Sequence, residues 1–69
     1  MSSFYLREKE PQNGDVAFHT IYGYVCLIGK IEVKDNYGET FWLTEVLHGN
    51  GGYEIIKESD LENVGYYGD

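Results

Sequence analysis

The sequence predicts a single small all-β domain built from five short strands. Segments rich in β-branched and aromatic residues recur from Val16 onward, and clusters of glycine, asparagine and aspartate separate them at the spacing typical of short strands. The chain has 69 residues, which allows one domain with a small core. Hydrophobic residues make up 42% and charged residues 25%, so we expect a folded chain despite a net charge of −7.

The chain divides into an N-terminal arm, residues 1–13, and a barrel domain, residues 14–69. The arm combines the aromatic triplet Phe4-Tyr5-Leu6 with a charged stretch that ends at Pro11, and it can add a short edge strand. The predicted strands of the barrel cover residues 16–21, 24–34, 40–47, 53–57 and 64–67.

The second strand alternates, with Val25, Leu27, Ile31 and Val33 on one face and Lys30, Glu32 and Lys34 on the other. This alternation predicts that the apolar face points into the core. Gly29 lies inside the strand, and we interpret it as the bend at which a small barrel turns its corner.

A hairpin follows if residues 35–39 form the loop. The opposed pairs are then Lys34 with Thr40, Val33 with Phe41, Ile31 with Leu43, Gly29 with Glu45, Leu27 with Leu47 and Cys26 with His48. Apolar residues meet apolar residues, and the same parity places Tyr53 and Ile55 inside. Trp42 then points outward, in an apolar stripe with Ile28, Val46 and Ile56.

Ser59-Asp60-Leu61-Glu62 fits a helix-capping pattern, but too few residues follow for a full helix, so we expect one helical or 3-10 turn near 59–62. Five strands with such a turn before the last resemble the SH3-like small β-barrel superfamily, including its Tudor-like and KOW-like modules, over residues 14–67. The resemblance is carried by Gly14-Asp15-Val16-Ala17-Phe18, Gly29-Lys30-Ile31 and Ser59-Asp60-Leu61-Glu62. It implies an architecture rather than an activity, because one fold serves many functions.

The negative charge is concentrated in the second half of the chain. Residues 1–34 are neutral, whereas residues 35–69 hold eight acidic residues against Lys57 alone. Such a field repels phosphate backbones and attracts basic surfaces. The sequence therefore favours a basic protein surface as the partner and disfavours direct nucleic-acid binding.

Seven residues are candidates for contact with a partner. Glu54, Glu58, Asp60 and Glu62 would form a row of negative charge if they line one edge. Trp42, in its outer stripe, would be covered either by the N-terminal arm or by a partner chain. Tyr22 and Tyr24 could join Trp42 in an aromatic cage for a methylated lysine, as in the Tudor-like modules.

We expect neither an enzyme nor a protein that binds a metal or cofactor. His19, His48 and the single cysteine, Cys26, lack the spacing of metal ligands or of a nucleophile with its base. A lone cysteine favours a reducing cytoplasm, and no apolar run approaches the length that spans a membrane.

Two functions remain open. The first is an acidic inhibitor or adaptor that occupies a basic groove, for example on a nucleic-acid-handling protein, by imitating phosphate charge. In this profile the chain resembles small phage-encoded inhibitor proteins. The second is a structural or accessory module that associates with itself through the apolar stripe around Trp42, for instance as a homodimer.

Overall fold

The computed structural model describes residues 2–68, and over this range the chain forms one antiparallel sheet of six strands. The strands are β1 (Ser3–Leu6), β2 (Val16–His19), β3 (Gly23–Lys34), β4 (Thr40–His48), β5 (Tyr53–Lys57) and β6 (Glu62–Gly68). A single 3-10 turn, Glu58–Asp60, joins β5 to β6. The all-β prediction and the short turn before the last strand are confirmed.

The sheet differs from the predicted five-stranded barrel in its strand count and in its edges. Its order is β1-β6-β2-β3-β4-β5, so β1 and β5 are the two edges within residues 2–68 and the sheet is open. The additional strand comes from the N-terminal arm, where Phe4 pairs with Tyr67 and Leu6 with Gly65. The expectation that the arm adds an edge strand is therefore confirmed.

The predicted register of β3 and β4 is confirmed for the half of the hairpin next to the loop, and it is wrong for the half farther from the loop. Lys34 pairs with Thr40, and the register continues as predicted to Gly29 and Glu45. A bulge at Ile28 then shifts the register by one residue, so that Leu27 pairs with Val46 rather than with Leu47. A bulge places an extra residue in one strand, and the side chains beyond it change face.

The predicted faces are reversed along β4, along β5 and in the part of β3 that follows the bulge, whereas Val25 and Leu27 lie in the core as predicted. We call the face that carries Leu27 and Val46 the inner face, and the opposite one the outer face. Buried apolar side chains cluster on the inner face: Ala17, Val25, Leu27, Val46 and Ile56. The predicted outer stripe is therefore part of the core at Val46 and Ile56. Because opposed residues share a face, Tyr53 and Ile55, which were expected inside, lie on the outer face.

Candidate functional site

The outer face of β3, β4 and β5 carries a continuous apolar surface. Its members are Cys26, Ile31, Val33, Phe41, Leu43, Leu47, Tyr53 and Ile55, which we call the outer patch. Cross-strand pairs build it: Ile31 lies opposite Leu43, and Leu47 opposite Tyr53. Two charged residues, Glu45 and Lys57, lie on the same face of β4 and β5.

Several side chains of the outer patch are open to solvent. The exposed fraction is 53% for Ile55 and 63% for Tyr53, and Ile31 and Phe41 are exposed as well. On the next residue of the same strand, Ile56 is buried. Soluble monomers seldom present contiguous apolar surfaces of this kind, and those that do usually bind something there. The outer patch is therefore the main candidate binding surface.

Trp42 lies on the inner face, near the hairpin loop between β3 and β4, where its ring contacts the half-buried Lys30. The Lys30 ammonium lies 4.6 Å from the centre of the Trp42 ring and 3.8 Å from a Glu58 carboxylate oxygen. It also donates a hydrogen bond to the Pro11 carbonyl at 3.4 Å. The prediction that Trp42 points outward is wrong, because Trp42 and buried Thr44 share a face.

A cleft of about 910 Å³ opens beside this cluster. Leu6, Arg7 and Lys9 of the N-terminal arm line one side of the cleft. Trp42 and Leu61 line the other side. Trp42 thus faces the arm across a cleft, and Phe41 and Lys57 line the same cleft. The arm itself pairs along β6, and Leu6 is exposed.

The four acidic residues predicted to form a row have different surroundings. Glu58 is largely buried and forms an ion pair with Lys30. Glu54 lies opposite Val46, so it belongs to the inner face at the β5 edge, and Glu62 lies opposite Phe18 on β2. Asp60 and Glu62 are exposed. The structure leaves these two as the exposed acidic residues near the turn.

The aromatic residues proposed as a cage lie apart. Tyr22 stacks on His48 with ring centres 5.1 Å apart, and His48 is six residues from Trp42 on β4, or about 20 Å along the strand. Tyr24 packs against Phe18 and is exposed on the outer face. Tyr22, Tyr24 and Trp42 therefore do not enclose a common space.

The histidines and Cys26 also lie apart. Cys26 pairs with Leu47, and His48 pairs with Val25, so the predicted opposition of Cys26 and His48 is wrong by one residue. His19 is buried, and its Nδ1 accepts a hydrogen bond from the Ile21 amide at 3.1 Å. No group of three or more His, Cys, Asp or Glu side chains is placed to hold a metal ion between residues 2 and 68.

A partly buried ion pair, Arg7 with Asp15, connects the arm to the domain. Arg7 donates two hydrogen bonds to the Asp15 carboxylate, at 2.9 and 2.7 Å, and the Gln12 amide donates a third at 2.9 Å. The hydrogen bonds from Arg7 lower the pKa of Asp15 from its ordinary value, although burial opposes this shift. The guanidinium of Arg7 also lies 4.3 Å from the centre of the Tyr66 ring.

The sequence did not predict the outer patch because the bulge at Ile28 was not recognised. Glycine inside a strand marks either a bend or a bulge, and Gly29 next to Ile28 was interpreted as a bend. The alternation of Lys30 and Glu32 with Ile31 and Val33 then indicated a solvated face where the structure has the inner one.

In comparisons with known proteins, no family model, no curated protein and no solved structure matches this chain. Among residues 2–68, no helix is long and apolar enough to cross a membrane.

Proposed function

We propose that this chain is a non-catalytic binding module that docks on another protein through the outer patch. The observation that carries the proposal is the exposed apolar surface on β3, β4 and β5, next to a core that has five buried apolar side chains among residues 2–68. A chain of this size gains stability when its apolar surface is covered, so docking and folding support each other.

Site-specific photo-cross-linking tests this proposal. A photoreactive amino acid replaces Ile55 in the outer patch or, as the control, Ile21, which is 79% exposed in the turn between β2 and β3. In the cells that naturally carry the gene, position 55 should give a discrete cross-linked species and position 21 should not. Equal cross-linking from both positions, or none from position 55, would contradict docking through this face.

A second candidate function uses the acidic charge to dock on a basic protein surface, as an inhibitor or adaptor that imitates nucleic-acid phosphates. It is supported by Asp60 and Glu62, which are exposed and form no ion pair within the described residues. Replacing them with Asn and Gln should slow association with a captured basic partner at low salt. An unchanged association rate would leave the charge with a role in solubility only.

We also infer that the sheet is a variant of the SH3-like layout. The strand order β6-β2-β3-β4-β5, the long bulged β3 and the 3-10 turn between β5 and β6 support this inference. The chain departs from that layout in the added strand β1 and in its open edges.

A further inference from the structure

We infer that the partner of the outer patch is a second copy of this chain, bound face to face around a two-fold axis. This inference rests on the proposed docking function and names its partner. It starts from the two charged residues on the outer face of β4 and β5, Glu45 and Lys57, which carry opposite signs.

These two residues are placed diagonally. Leu43 lies opposite Lys57, and Glu45 lies opposite Ile55, so the four occupy the corners of a rectangle of about 5 Å by 7 Å. Glu45 and Lys57 occupy one diagonal, and the apolar Leu43 and Ile55 occupy the other. Glu45 and Lys57 thus lie on opposite sides of the line that joins Leu43 and Ile55.

This arrangement is complementary to itself. A two-fold axis in the interface, running near the line from Leu43 to Ile55, places each apolar residue against its own copy. The same rotation places Glu45 of one copy against Lys57 of the other, and it does so twice in each dimer. The strands of the two sheets then cross at a large angle, as in orthogonal sheet packing.

Charge also argues against a basic partner at this face. Glu45 and Lys57 cancel, so the outer patch attracts neither acidic nor basic proteins, whereas the exposed Asp60 and Glu62 lie near the turn. Two copies with a net charge of −7 repel each other overall. At the outer patch the charges of Glu45 and Lys57 cancel, so the repulsion between two copies is weakest there and apolar contact can hold them together.

Sedimentation equilibrium of the purified full chain tests the inference through charge reversal. The wild type should form dimers. Glu45→Lys places two lysines against each other at both contacts, and Lys57→Glu places two glutamates, so each variant should weaken the dimer about tenfold or more. An equimolar mixture of the two variants should restore dimers, because opposite charges then meet again. This restoration needs folded chains, so it excludes misfolding as the cause of the weakening.

Matched controls change the net charge equally at other places. The controls are Glu54→Lys and Lys34→Glu. Glu54 lies on the inner face, and Lys34 lies opposite Thr40 near the hairpin loop. Neither should weaken the dimer about tenfold. A dimer unaffected by both Glu45→Lys and Lys57→Glu, or a mixture that stays monomeric, would overturn the two-fold arrangement.

A monomeric wild type would overturn the inference that the partner is a second copy of the chain. It would not by itself overturn docking, because a cross-link from position 55 to a different protein would still support the outer patch as the docking face. The two experiments therefore separate failure of this inference from failure of the proposed function.

Discussion

Lys30 lies on the inner face of the sheet, where four neighbours stabilise its charge. The ammonium lies near the Trp42 ring, the carboxylates of Glu58 and Glu10, and the Pro11 carbonyl, and the side chain of Lys30 is only 18% exposed. Without the ammonium, the buried Glu58 oxygen, which accepts no hydrogen bond within the described residues, would also lose its nearest cation.

Lys30→Met should therefore destabilise the fold by about 1–3 kcal/mol and change the emission of Trp42, whose ring it covers. Urea unfolding monitored by tryptophan fluorescence measures both effects. Lys34→Met is the matched control, since Lys34 is exposed, and it should leave both unchanged. Equal stability of the two variants would contradict the role of the Lys30 cluster.

Asp15 links stability to pH. Its pKa is lowered in the folded state by hydrogen bonds from Arg7, so its contribution is complete above the unfolded pKa of about 4 and is lost as the pH falls through the folded value. Asp15→Asn should lower the Tm near neutral pH, and the difference from wild type should shrink as the pH falls below about 4. A difference that stays constant in acid would contradict this linkage; Asp60→Asn, at an exposed position, is the control.

At the scale of elements, β1 depends on a glycine in its neighbour. A side-chain carbon on Gly65 would collide with the Tyr5 carbonyl oxygen and the Phe4 ring. Gly65→Ala should therefore loosen β1 from β6, at a cost of about 1–3 kcal/mol.

Hydrogen exchange of the Arg7 amide reports on this pairing directly, because that amide donates to the Val64 carbonyl at 2.8 Å. Its protection should fall in Gly65→Ala and persist in Gly68→Ala, where the added carbon meets the Tyr5 ring at an ordinary 3.6 Å. Equal protection in both variants would show that β1 does not need the close approach at Gly65.

Most of the elements could be predicted from the sequence, because turn residues mark the ends of the strands. The hairpin loop after Lys34 sets the register of β3 and β4 as far as Gly29. The face assignment failed because side chains alternate with a period of two, so one extra residue at Ile28 exchanges inside and outside. The binding surface depended on that assignment, and for this reason the sequence pointed to Trp42 instead of to Ile55.

At the scale of the whole molecule, the charge sets how salt acts on association. Two copies with a net charge of −7 repel each other, and salt screens this repulsion over a Debye length of about 8 Å at physiological strength. The Glu45–Lys57 contacts are covered in the dimer, so salt screens them less than it screens the repulsion between the exposed charges. The dimer should therefore become tighter as salt rises from low to physiological concentration, in sedimentation equilibrium. Docking on a basic surface would instead weaken over the same range, so the sign of the salt effect distinguishes the two functions.

The outer patch also accounts for how a chain with so small an inner core can be stable. Within residues 2–68, five buried apolar residues form the core of the single chain, and four residues of the outer patch on the opposite face are exposed: Ile31, Phe41, Tyr53 and Ile55. Covering them gives the sheet an apolar layer on both sides. Stability should then depend on protein concentration, because dimer formation adds to the free energy of unfolding.

The neighbours Ile55 and Ile56 test this account most directly, because they are the same residue type on one strand with opposite faces. The measurement is thermal unfolding by circular dichroism at several protein concentrations. The wild-type Tm should rise with concentration; Ile55→Glu should stay folded with a Tm independent of concentration, and Ile56→Glu should not fold, because it buries a charge in the core. A folded Ile56→Glu beside an unfolded Ile55→Glu, or a wild-type Tm that does not change with concentration, would contradict the assignment of the outer patch as a self-docking face.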